Sequence, residues 1–375
     1  MMKTTFIVTS TFGLEKIVKQ ELRSLGFHDF IVSDGKIEFQ AFLEDIPKLN
    51  INLRTADRVL IKLAEFKATN FDHLFDETKL IPWAEWIPED GKITVMGKSV
   101  KSTLESVRTN QSMVKKAIIE KLKENYKIEQ FSESGLEFKI LISILKDVAQ
   151  ITLDTSGDGL HKRAYRLKTG EVPLRENLAA ALVLISTWTG EKCLIDPMCG
   201  SGTILIEAAM IAKNIAPGLK RKFISESWNK LDSETWSQAR LGAQEAIHKN
   251  LNLKIFGYDI DPERIKDCKH NASNAGLENE IIFEQKDLKN LCLPNLGGTI
   301  ISNPPYGIKL SDAKNLKNLY QSMNKLFKSS TYYDWYLLTG DKKFSRSFGA
   351  HPNKKRKLYN GTIETHYYQY YSERN

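Results

Sequence analysis

The stretch Leu194-Ile195-Asp196-Pro197-Met198-Cys199-Gly200-Ser201-Gly202-Thr203 places a glycine-rich turn directly after a buried apolar strand and before a helix. Glycine lacks the Cβ atom that would keep a ligand away from the backbone, and the amino terminus of a helix presents N–H donors. The turn contains neither G-x-G-x-x-G nor Gly-Lys-Ser/Thr, which disfavours a nicotinamide dehydrogenase site and a phosphate-binding loop. The stretch therefore predicts a ligand site of another kind at the end of a parallel strand.

Two aspartates follow the next two strands. Asp259 stands at the carboxyl end of the strand that runs into Phe256-Gly257-Tyr258, where its two oxygens can accept both hydroxyls of a ribose. Asp261 is predicted to cap the helix that begins at Pro262. Asp287 follows the third strand and can accept an adenine amino group, although a lone aspartate is common at such turns. The order of glycine turn, Asp259 and Asp287 along the chain predicts a nucleoside cofactor.

The sequence Ile301-Ser302-Asn303-Pro304-Pro305-Tyr306 follows a fourth apolar strand and carries the predicted catalytic residues. An exocyclic amine on a nucleobase is a poor nucleophile because its lone pair is delocalised into the ring. The Asn303 side-chain oxygen and the Pro304 carbonyl can accept its two hydrogens and aim the lone pair at a sulfonium methyl group. Pro304 and Pro305 fix the backbone, and Tyr306 can stack on the base. The alternative is an ordinary proline-rich loop that ends a strand.

Strands and helices alternate beyond Gly157, which is typical of a parallel sheet with helices on both faces. Strands are predicted at 193–195, 255–258, 281–283, 299–302 and 335–338. The dipeptide Asn360-Gly361 lies between two apolar runs and predicts a closing antiparallel hairpin. The catalytic part of the chain is therefore expected to be an α/β domain.

The first 66 residues have the element order β-α-β-β-α-β of a ferredoxin-like unit, which says little about function. Residues 71–154 combine an aromatic loop at Trp83 and Trp86, a strand at 92–96, a helix at 110–125 and two strands within 138–153. Basic residues gather around the start of that helix, and either bind RNA or form a solvated helix face. They are Lys98, Lys101, Arg108, Lys115 and Lys116.

Two further basic groups flank the predicted catalytic sheet. His161, Lys162, Arg163 and Arg166 precede it, and residues 354–357 lead into the final hairpin. A base inside a helix cannot reach such a site, so the target nucleotide has to be splayed out or flipped, and phosphate contacts are expected nearby. The first group is favoured for phosphate contact, whereas the second is equally consistent with plain surface charge.

The composition agrees with a globular protein that binds a polyanion. The 375 residues carry a formal net charge of +8, which favours RNA as a partner without requiring it. The four cysteines form no C-x-x-C pair, so neither a disulfide framework nor a metal site is expected. No window is long and apolar enough to cross a bilayer and no secretory signal is seen, so a cytoplasmic location is expected.

Asp196 to Thr203 together with Asn303 to Tyr306 resembles motifs I and IV of the class I S-adenosylmethionine-dependent amino-methyltransferases. The segment Leu153 to Arg166, followed by Pro173-Leu174-Arg175-Glu176-Asn177-Leu178-Ala179, resembles a narrower group, the THUMP-domain 23S rRNA guanine-N2-methyltransferases of the RlmL type. The resemblance covers essentially the whole chain. It implies a ferredoxin-like segment at 1–66, a THUMP RNA-binding domain at 67–156 and a Rossmann-like methyltransferase domain at 157–375, with a seven-stranded, mostly parallel sheet.

The resemblance also implies roles for individual residues. Asp196, Gly200 and Gly202 would line the methionine part of S-adenosylmethionine, Asp259 the ribose and Asp287 the adenine, while the segment 173–178 closes over the cofactor. The full set of candidate cofactor residues is Asp196, Pro197, Cys199, Gly200, Ser201, Gly202, Thr203, Asp259, Ile260, Asp287, Leu288, Leu174 and Arg175. The candidate RNA-binding residues are Lys98, Lys101, Lys115, Lys162, Arg163 and Arg166.

The implied function is methyl transfer to the N2 amine of a guanine in 23S rRNA or an assembly intermediate of it, with no membrane and no obligate protein partner. A tRNA guanine-N2-methyltransferase and an N6-adenine DNA methyltransferase remain alternatives, because Asn-Pro-Pro-Tyr does not specify the base. An RNA-binding module with an inactive cofactor site is disfavoured, since every expected site residue is present. Longer family members carry a second methyltransferase half, so a single modification is expected here. Ala164 stands where the family usually has glycine, which is tolerated unless that position needs a positive φ angle.

Overall fold

The protein is built on two seven-stranded sheets, one in each half of the chain. This computed structural model describes residues 3–166, 174–306 and 313–372. Within those ranges, no helix is both long and apolar enough to cross a membrane.

The first sheet joins the ferredoxin-like and THUMP segments. Its strands are β1 (Thr4–Thr9), β2 (Ile31–Ser33), β3 (Lys36–Ala41), β4 (Arg58–Lys67), β5 (Lys92–Val100), β6 (Glu137–Leu145) and β7 (Val148–Asp154), in the order β2-β3-β1-β4-β7-β6-β5. Its helices are α1 (Glu15–Ser24), α2 (Ile46–Asn52), α3 (Phe71–Leu80) and α4 (Val107–Tyr126). Because β4 pairs antiparallel with β7 along most of its length, the two segments share one sheet and one apolar core.

The second sheet has the predicted mixture of parallel strands and a closing hairpin. Its strands are β8 (Cys193–Asp196), β9 (Ile255–Asp259), β10 (Ile282–Gln285), β11 (Gly298–Ser302), β12 (Tyr333–Thr339), β13 (Lys354–Asn360) and β14 (Ile363–Tyr370), in the order β10-β9-β8-β11-β12-β14-β13. Strand β14 runs antiparallel to β12 and β13, whereas β8 to β12 pair with one another in parallel. This order confirms the expected Rossmann-like methyltransferase fold.

Helices cover both faces of the second sheet. They are α5 (Glu176–Ile185), α6 (Thr203–Ala212), α8 (Pro262–Ala275), α9 (Ala313–Ser329) and α10 (Phe344–Phe348). Helix α7 (Ser233–Glu245) instead packs against α2 of the other half. The central strands are apolar on both sides because each face packs against its own helical layer, and all seven residues of β12 are buried. The polar residues at the ends of these strands are consequently left at the sheet edge.

One segment of the catalytic half packs into the core of the other half. Phe223, Trp228 and Trp236, which lie between α6 and the end of α7, belong to the apolar core of the first sheet. The Trp228 ring stacks on Phe138 of β6 with ring centroids 5.3 Å apart. Neither this insertion nor helix α3 was predicted from the sequence. The contact between the two halves is therefore known from the structure alone.

Candidate active site

The carboxyl ends of four neighbouring strands meet at one edge of the second sheet. The spatial order β10-β9-β8-β11 brings together the chain segments that follow each of them. The Ser302 hydroxyl at the end of β11 donates to Asp196 Oδ1 at the end of β8 over 2.7 Å. The Lys286 amide after β10 donates to the Asp259 carbonyl at the end of β9 over 2.9 Å. The motif Asn303 to Tyr306, here called the reacting motif, therefore lies beside the glycine turn and the turns that carry Asp259 and Asp287, as open α/β sheets place their ligand sites.

The two glycines of the turn have different structural tasks. Both have positive φ, +55° at Gly200 and +79° at Gly202, a conformation that favours glycine. A Cβ atom on Gly202 would press against the Cys268 sulfur and the Phe283 ring at 3.2 Å, whereas one on Gly200 would meet no heavy atom within 4 Å. Gly202 thus permits close packing at the start of α6, and Gly200 leaves open space next to the backbone. That space fits a cofactor that approaches the turn closely.

The remaining residues of the turn are held by short polar contacts. Ser201 Oγ and Thr203 Oγ1 are 3.2 Å apart, and the Asn271 amide donates to the Ser201 carbonyl over 3.1 Å. The buried Cys199 thiol lies 3.6 Å from that of Cys268, and this contact together with burial raises the Cys199 pKa. Pro197 continues the turn directly after Asp196. The contacts from Cys268 and Asn271 hold the turn against helix α8.

Asp259 is oriented by two backbone donors. Its carboxylate accepts from the Gly200 amide at 2.9 Å and from the Asp261 amide at 3.0 Å, and burial raises its pKa. Carboxylate oxygens have additional lone pairs, so both can still accept ribose hydroxyls. Ile260 beside it is 63% exposed, so its side chain is free to cover an adenine ring, a contact that stays a prediction. The predicted cap is confirmed, because Asp261 accepts from the Glu263 amide at 2.9 Å and Pro262 opens α8.

Asp287 begins a short helical turn beyond β10. Its carboxylate accepts from the Lys289 amide at 2.9 Å, and the next residue, Leu288, is buried. The side chain is half-buried at the same sheet edge as Asp259. One carboxylate oxygen thus holds the turn, and the adenine contact stays a prediction.

Asp196 is the most deeply buried acid of the site, with 2% of its surface exposed. It accepts from the Ser302 hydroxyl and from the Met198 amide. Burial raises its pKa to about 7, and the Asp259 carboxylate adds to the rise. Asp196 therefore changes charge near neutral pH while it connects the glycine turn to the reacting motif.

The reacting motif has one contact that the sequence analysis did not predict. The Tyr306 hydroxyl donates to Asn303 Oδ1 over 2.6 Å, and burial raises the Tyr306 pKa far above its usual value. An amide oxygen has two lone pairs, so Asn303 can still accept one hydrogen from a substrate amine. Pro304 is buried and Pro305 exposed, which leaves the bend between them at the surface of the sheet edge. The contact fixes the Asn303 side chain in one orientation.

Two of the predicted phosphate contacts are wrong. The Arg163 side chain is 1% exposed, forms an ion pair with Glu207 and donates to the carbonyls of Leu160 and Arg54. The Arg166 side chain is 7% exposed and pairs with Glu176 at 2.8 Å. Both guanidinium groups are therefore used inside the protein. Lys162 is exposed and pairs with Asp158 at 3.2 Å, as a surface residue does.

The segment expected to close over the cofactor is described from Leu174 onward, and Pro173 lies outside the described residues. Leu174 is buried, and its carbonyl accepts from Arg166 at 2.9 Å. The Arg175 amide donates to Asn360 Oδ1 over 3.4 Å. Asn360 also contacts the Tyr306 hydroxyl, so it connects this segment with the reacting motif. The Asn-Gly pattern predicted the hairpin turn but not this role.

The candidate RNA residues of the first sheet lie at the surface. Lys98 and Lys101 are exposed, and Lys115 is half-buried with an ion pair of 2.8 Å to Glu133. Lys115 and Arg108 line a cleft of about 400 Å³ between α4 and β5. Their position allows RNA contact, which stays a prediction.

Three family descriptions match successive parts of the chain. Residues 5–60 match the RlmL ferredoxin-like domain, residues 68–154 a THUMP domain and residues 163–369 an RMKL-like methyltransferase domain. The chain is 46% identical to YpsC of Bacillus subtilis strain 168, whose name assigns it provisionally as an RNA methyltransferase, over 100% of this chain and 97% of that protein. It is 33% identical to the ribosomal RNA large subunit methyltransferase K/L of Syntrophotalea carbinolica, over 96% of this chain but only 52% of that protein.

Two solved structures have nearly the same fold over their full length. One, from Listeria monocytogenes, is named from prediction as an N6-adenine-specific DNA methylase; it is 43% identical, with a TM-score of 0.93, and the match covers 99% of this chain and 97% of that one. The other, SMU.472, is named provisionally as a methyltransferase and was solved with SAH; it is 39% identical, with a TM-score of 0.94, and the match covers 100% of both chains. The likeness includes both sheets.

Proposed function

The chain belongs to the RMKL-like family of S-adenosylmethionine-dependent RNA methyltransferases, and from that membership we propose that it methylates the exocyclic N2 amine of a guanine in 23S rRNA. The names of the relatives give methyl transfer as the reaction and RNA as the substrate. The guanine base and the 23S rRNA molecule are what the proposal adds.

One observation carries the proposed chemistry: the hydrogen bond from Ser302 to Asp196, which holds the reacting motif against the glycine turn. S-adenosylmethionine supplies an electrophilic methyl group when it is bound at that turn. Asn303 Oδ1 and the Pro304 carbonyl are the acceptors for the two amine hydrogens, and their positions favour a pyramidal nitrogen whose lone pair faces the methyl group. The N–CH3 bond would form as the sulfonium S–CH3 bond breaks, and the surplus amine proton would pass to solvent, since neither acceptor is a base at neutral pH. The rate gain comes from orientation and electrostatics.

The first sheet supports RNA over DNA as the substrate. Residues 68–154 match a THUMP domain, and their exposed basic residues lie on and beside α4. The DNA alternative has the support of the Listeria protein's name, and the tRNA alternative is compatible with the same motif. We favour rRNA because the K/L relative is named for the large ribosomal RNA.

The proposed partner is 23S rRNA or an assembly intermediate of it, with no obligate protein partner. The four free cysteines and the RNA substrate both suit a reducing cytoplasm.

The test is methyl transfer from labelled S-adenosylmethionine to three substrates: 23S rRNA, bulk tRNA and genomic DNA, all from a strain that lacks the gene. The expected result is labelling of 23S rRNA alone and N2-methylguanosine after digestion to nucleosides. The same rRNA from the parent strain is the matched control and should accept little label. Labelling of DNA alone, or of tRNA alone, would contradict the substrate, and N6-methyladenosine would contradict the base.

A further inference from the structure

A cleft of about 990 Å³ opens next to the reacting motif, and the residues that line it all belong to the catalytic half of the chain. One wall is the loop 158–166, a second is formed by residues 220–222, and the third is the turn of the β13–β14 hairpin, residues 360–363. The volume lies at the upper end of what small-molecule pockets reach, so it is ample for more than a single phosphate group.

The Asn360 side chain lies between the cleft and the reacting motif. Asn360, which is 5% exposed, contacts the Tyr306 hydroxyl from the hairpin side. A Cβ atom on Gly361 in the same turn would lie 3.7 Å from the Arg175 guanidinium. A nucleotide whose base reaches Asn303 would therefore have its backbone at the mouth of this cleft.

The walls are strongly basic. Seven of the lining residues are lysine or arginine and two are acidic. Arg163, Arg166 and Arg221 are held in the walls by contacts to carbonyl or carboxylate oxygens, so their charges are fixed in place. The exposed ammonium groups are those of Lys162, Lys220 and Lys222.

The lowered pKa of His161 is a second indication that the cleft is positively charged. Its pKa is lowered to about 4, first by burial and then by the charges of Arg175, Arg163, Lys162 and Arg221. A histidine surrounded by cations stays neutral because a further positive charge is repelled. The same field attracts a polyanion.

We propose that this cleft holds the sugar-phosphate backbone of the RNA strand that carries the target base, with Lys222 and Lys220 as phosphate contacts; this rests on the proposed function. Lys222 is exposed and forms no ion pair among residues 3–166, 174–306 and 313–372. The Lys220 ammonium donates only to the Asn274 carbonyl, at 3.0 Å, within the same ranges, and has further hydrogens to offer. Phosphate contacts of this kind set the register of the strand and so bring one base to the motif.

The experiment compares Lys222→Glu, Lys222→Gln and the double variant Lys220→Glu/Lys222→Glu with the wild-type enzyme. Lys249→Glu is the matched control, because Lys249 is also exposed and lies outside the cleft. Measured quantities are the KM for 23S rRNA at several salt concentrations, the dissociation constant for S-adenosylmethionine, the melting temperature and the modified nucleoside.

The expected result is a rise of the RNA KM by about tenfold for Lys222→Glu, a smaller rise for Lys222→Gln and a larger one for the double variant. The slope of log KM against log salt should fall by about one per lost phosphate contact. Cofactor affinity, melting temperature and the nucleoside should not change. Lys249→Glu should behave like wild type.

Three outcomes would overturn the proposal: an unchanged RNA KM in the double variant, an equal loss in Lys249→Glu, or a loss of cofactor affinity that accounts for the effect. Failure of the proposed function gives a different pattern, in which the wild-type enzyme itself does not methylate RNA. The two failures are therefore distinguishable.

Discussion

The Asp196 carboxyl joins the glycine turn to the reacting motif, and it titrates near neutral pH. Its folded-state pKa is about 7, well above that of an aspartate in an unfolded chain. A raised pKa means that the stabilisation from the protonated group is complete below about pH 4 and is lost as the pH rises to about 7. The free energy of unfolding should fall over that interval.

An Asp196→Asn variant cannot lose this stabilisation, because asparagine keeps the acceptor oxygen for Ser302 and Met198 but does not ionise. We expect its free energy of unfolding to exceed that of wild type by an amount that grows between about pH 5 and about pH 8, on the order of 2 kcal/mol. Urea denaturation at both pH values measures the difference. Parallel curves for the two proteins would show that Asp196 ionises normally.

Ala164 has a backbone conformation that suits glycine. Its φ is +67° and its side chain is exposed, so the methyl group contributes strain without compensating packing. Ala164→Gly should raise the free energy of unfolding by about 0.5–1 kcal/mol, the strain removed less the greater flexibility of glycine in the unfolded chain. In the matched control Ala239→Gly, within helix α7, the same change should lower it by about 1 kcal/mol. A free energy of unfolding lower than that of wild type in Ala164→Gly would contradict the presence of backbone strain at Ala164.

Individual residues were predictable where a local pattern determined them. Asp261 is a helix cap because a capping residue followed by proline is a local signal, and the neighbouring strand ends place Asp259. The burial of Arg163 and Arg166 was not predictable, because it depends on Glu207 and Glu176, which come from helices elsewhere in the chain. A basic run on its own does not distinguish a surface contact from an interior one.

Among the elements, helix α7 and the segment before it connect the two halves. The Trp236 ring is 4% exposed and stacks on Phe223 with ring centroids 5.4 Å apart, inside the core of the first sheet. Neither residue belongs to a strand of the second sheet, and the periodic pattern of strands and helices gives no signal for such an insertion. The sequence therefore predicted the catalytic sheet but not the segment that joins it to the other half.

Replacing this ring tests the connection. Trp236→Ala should lower the free energy of unfolding by about 3–5 kcal/mol, because it leaves a large cavity where the two halves pack. Leu241→Ala on the same helix is the control: Leu241 is 47% exposed, and its loss should cost less than about 0.5 kcal/mol. Equilibrium urea unfolding gives both values. A cost for Trp236→Ala no larger than that of the control would mean that the insertion does not contribute to the core.

Across the whole molecule, strand order follows from sequence only within each unit. The chain order β-α-β-β-α-β of the first 66 residues and the parallel strands of the catalytic sheet were both expected, and the structure arranges the first four strands as β2-β3-β1-β4. The pairing of β4 with β7, which merges two segments into one sheet, was not, because it joins residues far apart along the chain. The domain boundaries at 66 and 156 stay predictions.

The proposed chemistry depends on Asn303 as an acceptor for the target amine, and single-turnover methyl transfer by Asn303→Ala tests it most directly. The exposed Asn318→Ala in α9 is the control. We expect a loss in rate of about 10²–10³-fold, as for the removal of one preorganised polar partner, with unchanged affinity for S-adenosylmethionine. Undiminished transfer by Asn303→Ala, at wild-type cofactor affinity, would contradict the assignment of the active site.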